Sequence, residues 1–257
     1  MIEFLFGTAA MSLLFAAAWL VARKYDNYSL VDAVWAFGIG ITAGLWLLMA
    51  DDGSRKHWVA GLMVAAWSLR LGWHLQRRIR RAHPEEDARY SKLRKVWSGP
   101  GFFWFFQAQA ISVVLLALPF LMIAMDPDSA WSMWEWVGLA VATVGVMGEA
   151  TADSQMNSFK KGNSDPRAVC REGLWKYSRH PNYFFEAVIW SGFYLFACGS
   201  EWGALTFHAP AIIVFLLLKV TGIPPTEASA VERKGDAYRD YQKTTSAFVP
   251  WPPRGRI

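Results

Sequence analysis

Long apolar runs alternate with polar breaks along most of this chain. Seven runs are long enough to cross a hydrocarbon core of ~30 Å, which takes about 20 residues. They fall near residues 2–22, 30–50, 58–76, 103–125, 131–152, 182–199 and 203–222. The strict alternation of barrel strands is absent, and lipid does not tolerate open sheet edges, so the runs predict helices. No period of the kind that marks repeat arrays is present.

The breaks are of two kinds. Asp51–His57, Asp126–Ala130 and Ser200–Trp202 are short and nearly neutral. The others are basic. Arg23 and Lys24 follow the first run; eight Arg and Lys residues lie between Arg77 and Lys95; six more lie between Lys160 and Arg179; and Arg233, Lys234, Arg239 and Lys243 mark the tail. All four basic segments fall on one side of a seven-pass chain. Basic loops face the cytoplasm. The pattern therefore predicts an all-α integral membrane bundle of seven transmembrane helices, N-terminus outside and C-terminus cytoplasmic. It is read as a single domain, 1–257, with cytoplasmic loops 77–101 and 153–180 and a tail from 223 to 257.

Smaller signals refine this picture. Pro84-Glu85-Glu86-Asp87 would start a short helix, with acids at its positive end. Ser98-Gly99-Pro100-Gly101 reads as a turn. Gly222-Ile223-Pro224-Pro225-Thr226-Glu227 reads as a break and a cap before an amphipathic helix.

Composition agrees with a membrane protein. Hydrophobic residues make up 54% of the chain, which holds 15 tryptophans and has a mean hydropathy of +0.17. The net charge of +5 reflects the cytoplasmic loops rather than a nucleic-acid partner. Cys170 and Cys198 lie in different settings, so neither a structural disulfide nor a metal site is expected. The first run has no basic residues ahead of it, which predicts a retained span rather than a cleaved leader.

Ionisable residues inside the runs carry the chemistry, because their burial is costly and marks function. Asp32 begins the second run and His74 ends the third. Glu149, Asp153, Asn157 and Lys160 share one helical face at the end of the fifth. Glu186 lies one turn into the sixth. The predicted topology puts all of them in the cytoplasmic leaflet, as if lining one chamber. The densest stretch is GLWKYSRHPNYFFE, Gly173–Glu186. Pro181 suits a first helical turn, and Asn182 and Glu186 then lie four apart. The free N–H groups of that turn, with Arg179 and His180 beside them, would seat a phosphate or another anion.

This stretch and the tail AYRDYQKTTSAFVPWPP resemble the steroid 5-alpha-reductase family, in particular its bacterial membrane branch. SLVDAVWAFG, RLGWHLQRR with EDARY, and EATADSQMNSFKK match as well. The resemblance implies a seven-helix fold in the bacterial inner membrane that takes NADPH from the cytoplasm. It also implies a lipid-soluble enone substrate, such as a 3-oxo-4-ene steroid. On this resemblance Asp153, Lys160, Asn182 and Glu186 would bind the cofactor. Glu227, Tyr238 and Tyr241 would close over it, and Glu149, Asn157, Arg171, Tyr177, Arg179 and His180 complete the set. Asp32 and His74, with Tyr90 from the loop, would hold the substrate carbonyl. Where steroid reductases carry a glutamine-glutamate pair and a tyrosine, this chain has Asp32 and His74. No Gly-x-Gly-x-x-Gly follows a strand, so the cofactor fold is not of the Rossmann type. A similar arginine-histidine-proline turn occurs in isoprenylcysteine methyltransferases, which makes S-adenosylmethionine-dependent methyl transfer the competing expectation.

Overall fold

A computed structural model describes residues 2–50, 53–97, 99–126 and 130–254. The helices are α1 (Ile2–Lys24), α2 (Leu30–Leu48), α3 (Arg55–Ala82), α4 (Ala88–Arg94), α5 (Gly99–Met125), α6 (Met133–Gly162), α7 (Pro181–Ala197), α8 (His208–Phe215), α9 (Ile223–Lys234) and α10 (Asp236–Thr244). Among the described residues there is no strand, and one isolated bridge joins Ser178 to Ser246. The chain groups into two compact units. The first holds Met1–Ser132 and Ala197–Thr206; the second holds Met133–Phe196 and Phe207–Ile257.

In the first unit α2 packs against α1, α3 and α5. Its centre is aromatic and aliphatic, with Phe15, Ile39, Trp67, Phe106 and Phe120 fully covered. Several polar groups inside find partners, which lowers the cost of their burial, although Thr42 Oγ1 has none among the described residues. Trp35 Nε1 donates to Ser112 Oγ at 2.9 Å, and Ser68 Oγ donates to the Ala36 carbonyl at 2.9 Å. Lys56 Nζ meets Asp126 at 2.9 Å, with side chains only 1% and 5% exposed.

Two sequence expectations shift here. The Gly99-Pro100 pair opens α5 rather than ending a turn; proline fits that first turn because the N–H it lacks has no intrahelical acceptor there. Of the expected turn cluster, Ser98 lies outside the described residues. The short helix forms as α4, one turn later than the acids suggested. Asp87 caps it by accepting the Arg89 N–H at 3.0 Å.

In the second unit α6 and α7 run antiparallel with their backbones close. A Cβ on Gly138 would come 2.3 Å from the Phe196 nitrogen, and one on Gly145 would come 2.8 Å from the Ile189 nitrogen. One on Gly192 would come 2.4 Å from the Ala142 nitrogen. Glu135, Gly138, Ala142, Gly145, Glu149 and Ala152 form the buried stripe of α6, at helical spacing. Small residues on such a stripe allow the close approach that packs helices in lipid.

Four described stretches are long and apolar enough to cross a membrane: Glu3–Lys24, Leu30–Leu48, Pro100–Met125 and Gly203–Lys234. The expected third, fifth and sixth spans correspond to α3, α6 and α7. The first two reach 28 and 30 residues but end in charged turns, and α7 has 17 residues. The expected seventh span is not one helix. A 3-10 turn at Gly203–Phe207 leads into α8, and a π turn at Leu216–Val220 ends it before α9.

Candidate functional site

The antiparallel register of α6 and α7 pairs Gly138 with Phe196, Ala142 with Gly192, Gly145 with Ile189 and Gly148 with Phe185. One further turn brings the start of α7 level with the α6 turn that holds Glu149 and Asp153. Along the predicted face the burial falls off steadily. Glu149 is 6% exposed, Asp153 is half-buried, and Asn157 and Lys160 stand in the open. The face thus runs from the covered stripe to water.

The loop from Gly173 to His180 is fixed against this part of α6. Trp175 Nε1 donates to the Ala152 carbonyl at 2.9 Å, and the Leu174 N–H donates to Gln155 Oε1 at 2.8 Å. Gly173 has a positive φ of +55°, and a Cβ there would come 2.4 Å from the Gln155 amide. Glycine is required on both counts. Beside this junction lies a groove of about 490 Å³, lined by Ser154, Gln155, Ser158, Phe159, Asn163 and Glu172 among others.

The first turn of α7 is sharply ordered. Ser178 Oγ accepts the His180 N–H at 3.1 Å, Pro181 has none to give, and the Phe184 N–H reaches the His180 carbonyl at 3.1 Å. The Asn182 and Tyr183 N–H groups are then the first-turn donors without an intrahelical acceptor. Asn182 Oδ1 is buried and, among the described residues, has no hydrogen-bond partner. A buried polar atom with no partner costs stability unless a ligand or water satisfies it. Glu186, also buried, accepts from Trp190 Nε1 at 3.0 Å.

Arg179 and His180 do not face this turn. Arg179 Nε meets Glu227 Oε1 at 2.6 Å, and its Nη1 donates to the Gln242 carbonyl at 3.0 Å and to the Thr245 carbonyl. His180 Nε2 lies 3.2 Å from the same Glu227 oxygen, and Gln242 Nε2 donates to the other at 2.8 Å. The donors expected around an anion are therefore turned onto α9 and the tail. Tyr241 is buried, and its hydroxyl donates to the Trp175 and Ser178 carbonyls. Burial, then the Glu227 charge, push the Tyr238 phenol up to about 12. Arg171 donates to the Ala237 carbonyl at 3.1 Å and covers the Tyr241 ring. Tyr177 is exposed at its side chain, while its carbonyl accepts the Trp251 N–H at 2.9 Å.

In the first unit, Asp32 is met by the α4 segment. Tyr90 donates to Asp32 Oδ1 and Arg89 to Oδ2, both at 2.5 Å. Arg89 also binds Asp87 through Nε at 3.0 Å, and Arg78 completes an ion pair with Asp87. Burial, and then the Asp32 charge, hold the Tyr90 phenol well above its usual range. Burial works against ionised Asp87, yet the Arg89 donors and the Arg78 charge outweigh it and hold the carboxyl below its usual range. The segment is tied down further by Asn27, Tyr28 and Ser29, which bond to Glu85, Glu86 and Asp87. His74 lies on α3 with its side chain exposed. Arg89 and Asp87 were absent from the predicted site. The signal for them was the EDARY string, which places an acid and a guanidinium ahead of the tyrosine.

Among the described residues no group of three or more His, Cys, Asp or Glu side chains is placed to hold a metal. The fold and these clusters define a helical multi-pass membrane protein with a polar site at the start of α7. A family model described as "Protein of unknown function (DUF1295)" matches residues 18–245, and the chain belongs to that steroid 5-alpha-reductase-like family. An uncharacterized protein of Schizosaccharomyces pombe is 26% identical, over 90% of this chain and 75% of its own length. Steroid 5-alpha-reductase DET2 of Arabidopsis thaliana is 28% identical over 48% of this chain, a match that spans 44% of that protein. No solved structure matches significantly.

Proposed function

We propose that the protein is an NADPH-dependent membrane reductase that saturates a carbon–carbon double bond conjugated to a carbonyl in a lipid-soluble substrate. Family membership and the distant likeness to a steroid 5-alpha-reductase support an oxidoreductase. The observation that carries the cofactor reading is the buried, unpartnered Asn182 Oδ1 in the first turn of α7. A nicotinamide carboxamide offers the N–H that this acceptor lacks, so the residues present fit the group.

In the second unit Asn182, Asp153 and Glu186 would hold the amide and ribose groups, with Glu149 beneath them. Asn157 and Lys160, exposed at the end of α6, would face the adenosine end, where Lys160 and Arg171 favour the extra phosphate of NADPH over NADH. Tyr177 borders the same loop. The bound cofactor supplies the hydride, and the protein aims it and polarises the acceptor. In the first unit Tyr90 is the proton donor for the substrate oxygen, where negative charge develops as hydride adds to the β carbon. The one hydroxyl proton of Tyr90 rests on Asp32, which Arg89 fixes, and would turn from that carboxylate to the substrate oxygen when substrate is bound. His74 is the second donor proposed for this oxygen. The substrate class is an apolar enone of steroid or other isoprenoid type, and the location proposed is the bacterial inner membrane.

The test is a melting curve of detergent-solubilised protein with NADPH or S-adenosylmethionine. A ligand that binds only the folded state raises the midpoint. NADPH should do so for the wild type and fail to for Asn182→Ala and Asp153→Ala. A shift produced by S-adenosylmethionine alone sinks the reductase reading.

A further inference from the structure

Five residues of the stretch Tyr177–Tyr183 are bonded to chain that lies forty or more positions away. The Arg179 N–H donates to the Ser246 carbonyl at 2.8 Å, Ser178 Oγ donates to the Phe248 carbonyl at 2.8 Å, and the Trp251 N–H donates to the Tyr177 carbonyl at 2.9 Å. These bonds lay the segment after α10 beside the loop before α7, as a short strap. At its side, Tyr183 Oη lies 3.1 Å from Thr226 Oγ1 and its ring stacks on His180 with centroids 5.3 Å apart.

Glu227 is the point where these lines meet. Its carboxylate takes Arg179 and His180 on one oxygen and Gln242 on the other. The Arg179 side chain is 10% exposed and that of His180 4%, so these groups are committed to Glu227 rather than to solvent. A guanidinium is a planar fork with five donors. Here it joins a carboxylate on α9 to two carbonyls, one on α10 and one just beyond it, a set that a lysine ammonium on a flexible stem does not reproduce. The residue that follows this pair, Pro181, begins α7, and the next one carries the unpartnered amide oxygen.

We infer that Glu227 is a positioning residue. It locks the C-terminal strap onto the Arg179-His180 pair and so sets the first turn of α7 that presents Asn182. Tyr241 belongs to the same device, because its hydroxyl holds the Trp175 and Ser178 carbonyls from the strap side. Glu227 and Tyr241 act through the loop and do not contact the cofactor. The last step, from first turn to ligand, rests on the cofactor reading above; the lock itself does not.

The experiment uses the full chain in detergent, with the variants Glu227→Gln, Glu227→Asp and Arg179→Lys. Two readouts are taken. Amide hydrogen exchange is followed at residues 177–183 and 245–251 without ligand, and NADPH affinity is measured. Glu227→Gln and Arg179→Lys should speed exchange in both segments and weaken NADPH about tenfold or more, the scale of losing a charged hydrogen bond. Glu227→Asp keeps the charge and should restore most of both. Unchanged exchange in Glu227→Gln overturns the lock. Faster exchange with unchanged NADPH affinity overturns the positioning role. If the wild type itself does not bind NADPH, the cofactor reading fails, and the exchange data alone decide whether the lock exists.

Discussion

Tyr90 is the residue whose surroundings say most about its chemistry. Its hydroxyl is given to a carboxylate that Arg89 also holds, and burial beside that charge keeps the phenol protonated through neutral pH. The phenol carries a single proton, so it can serve an oxygen that becomes negative only when its O–H turns from Asp32 to that oxygen. Removing one such donor typically costs about 2.7–4 kcal/mol in the transition state. Tyr90→Phe should therefore lower kcat for enone reduction by about a hundredfold or more while NADPH affinity stays within twofold, read from steady-state NADPH consumption. The double change Asp32→Asn with His74→Ala should also lower turnover and spare cofactor affinity. Full turnover in that double variant removes both residues from the substrate side. Asp87 gives a pH test at the same scale. Its folded value is depressed, so the anchoring it provides is complete above the unfolded carboxylate value of about 3.9 and is lost as pH falls below it. Protection of residues 83–95, taken relative to the intrinsic exchange rate at each pH, should fall in that acid range, and Asp87→Asn should show the lower protection already at pH 7.

At the scale of elements, much was legible because it is local. Apolar length and basic breaks located the helices, and the proline of the Arg179-His180-Pro181 string marked the start of α7. The acid run at residues 85–87 announced α4, missing only that Asp87 is the cap. What was not legible is non-local. Nothing near Arg179 says that its guanidinium will turn to a carboxylate 48 residues later rather than to the helix end beside it. Nothing near Asp32 says that Tyr90, 58 residues on, will reach it. The broken seventh span escaped for another reason: a π turn is a slip in backbone bonding, and Leu216-Leu217-Leu218 has the same hydropathy in either form. The α6–α7 contact lies between these cases, since a stripe of small residues is visible in sequence but its partner is not. Gly145→Leu makes the contact testable. The Ile189 backbone already occupies the space of a Cβ, so helices must separate rather than side chains repack. Overpacking costs about 1–3 kcal/mol when side chains can move, and a backbone neighbour puts this change at or above the top of that range. The melting midpoint should fall by several degrees. Gly162→Leu, on the same helix with open space around its Cβ position, should leave it nearly unchanged.

For the whole molecule, the number of crossings decides where the ends lie, and parity makes that number measurable. Four described stretches are apolar enough to cross on their own. An even count returns the C-terminus to the side of the N-terminus. If α3, α6 and α7 cross as well, the count is seven and the termini lie on opposite faces. The distribution of charge favours seven. With seven passes, residues 23–24, 77–95, 160–179 and 233–243 all face one side, which is the arrangement the positive-inside rule describes. With four passes, the chain from 24 to 30 and the chain from 125 to 203 share one side, and 48 to 100 falls on the other. The two largest basic segments would then be split across the membrane. The chemistry points the same way, because the proposed cofactor is cytoplasmic and α7 opens directly after the second basic segment. Reporter fusions settle the matter without a ligand. A fluorescent protein that matures only in the cytoplasm should glow at the C-terminus and stay dark at the N-terminus. Alkaline phosphatase, active only outside, should give the reverse. Equal signals at both ends would exclude seven crossings and, with four, put either residues 77–95 or residues 160–179 on the outer face. Only dark fluorescent reporters at both ends would then keep the start of α7 on the NADPH side.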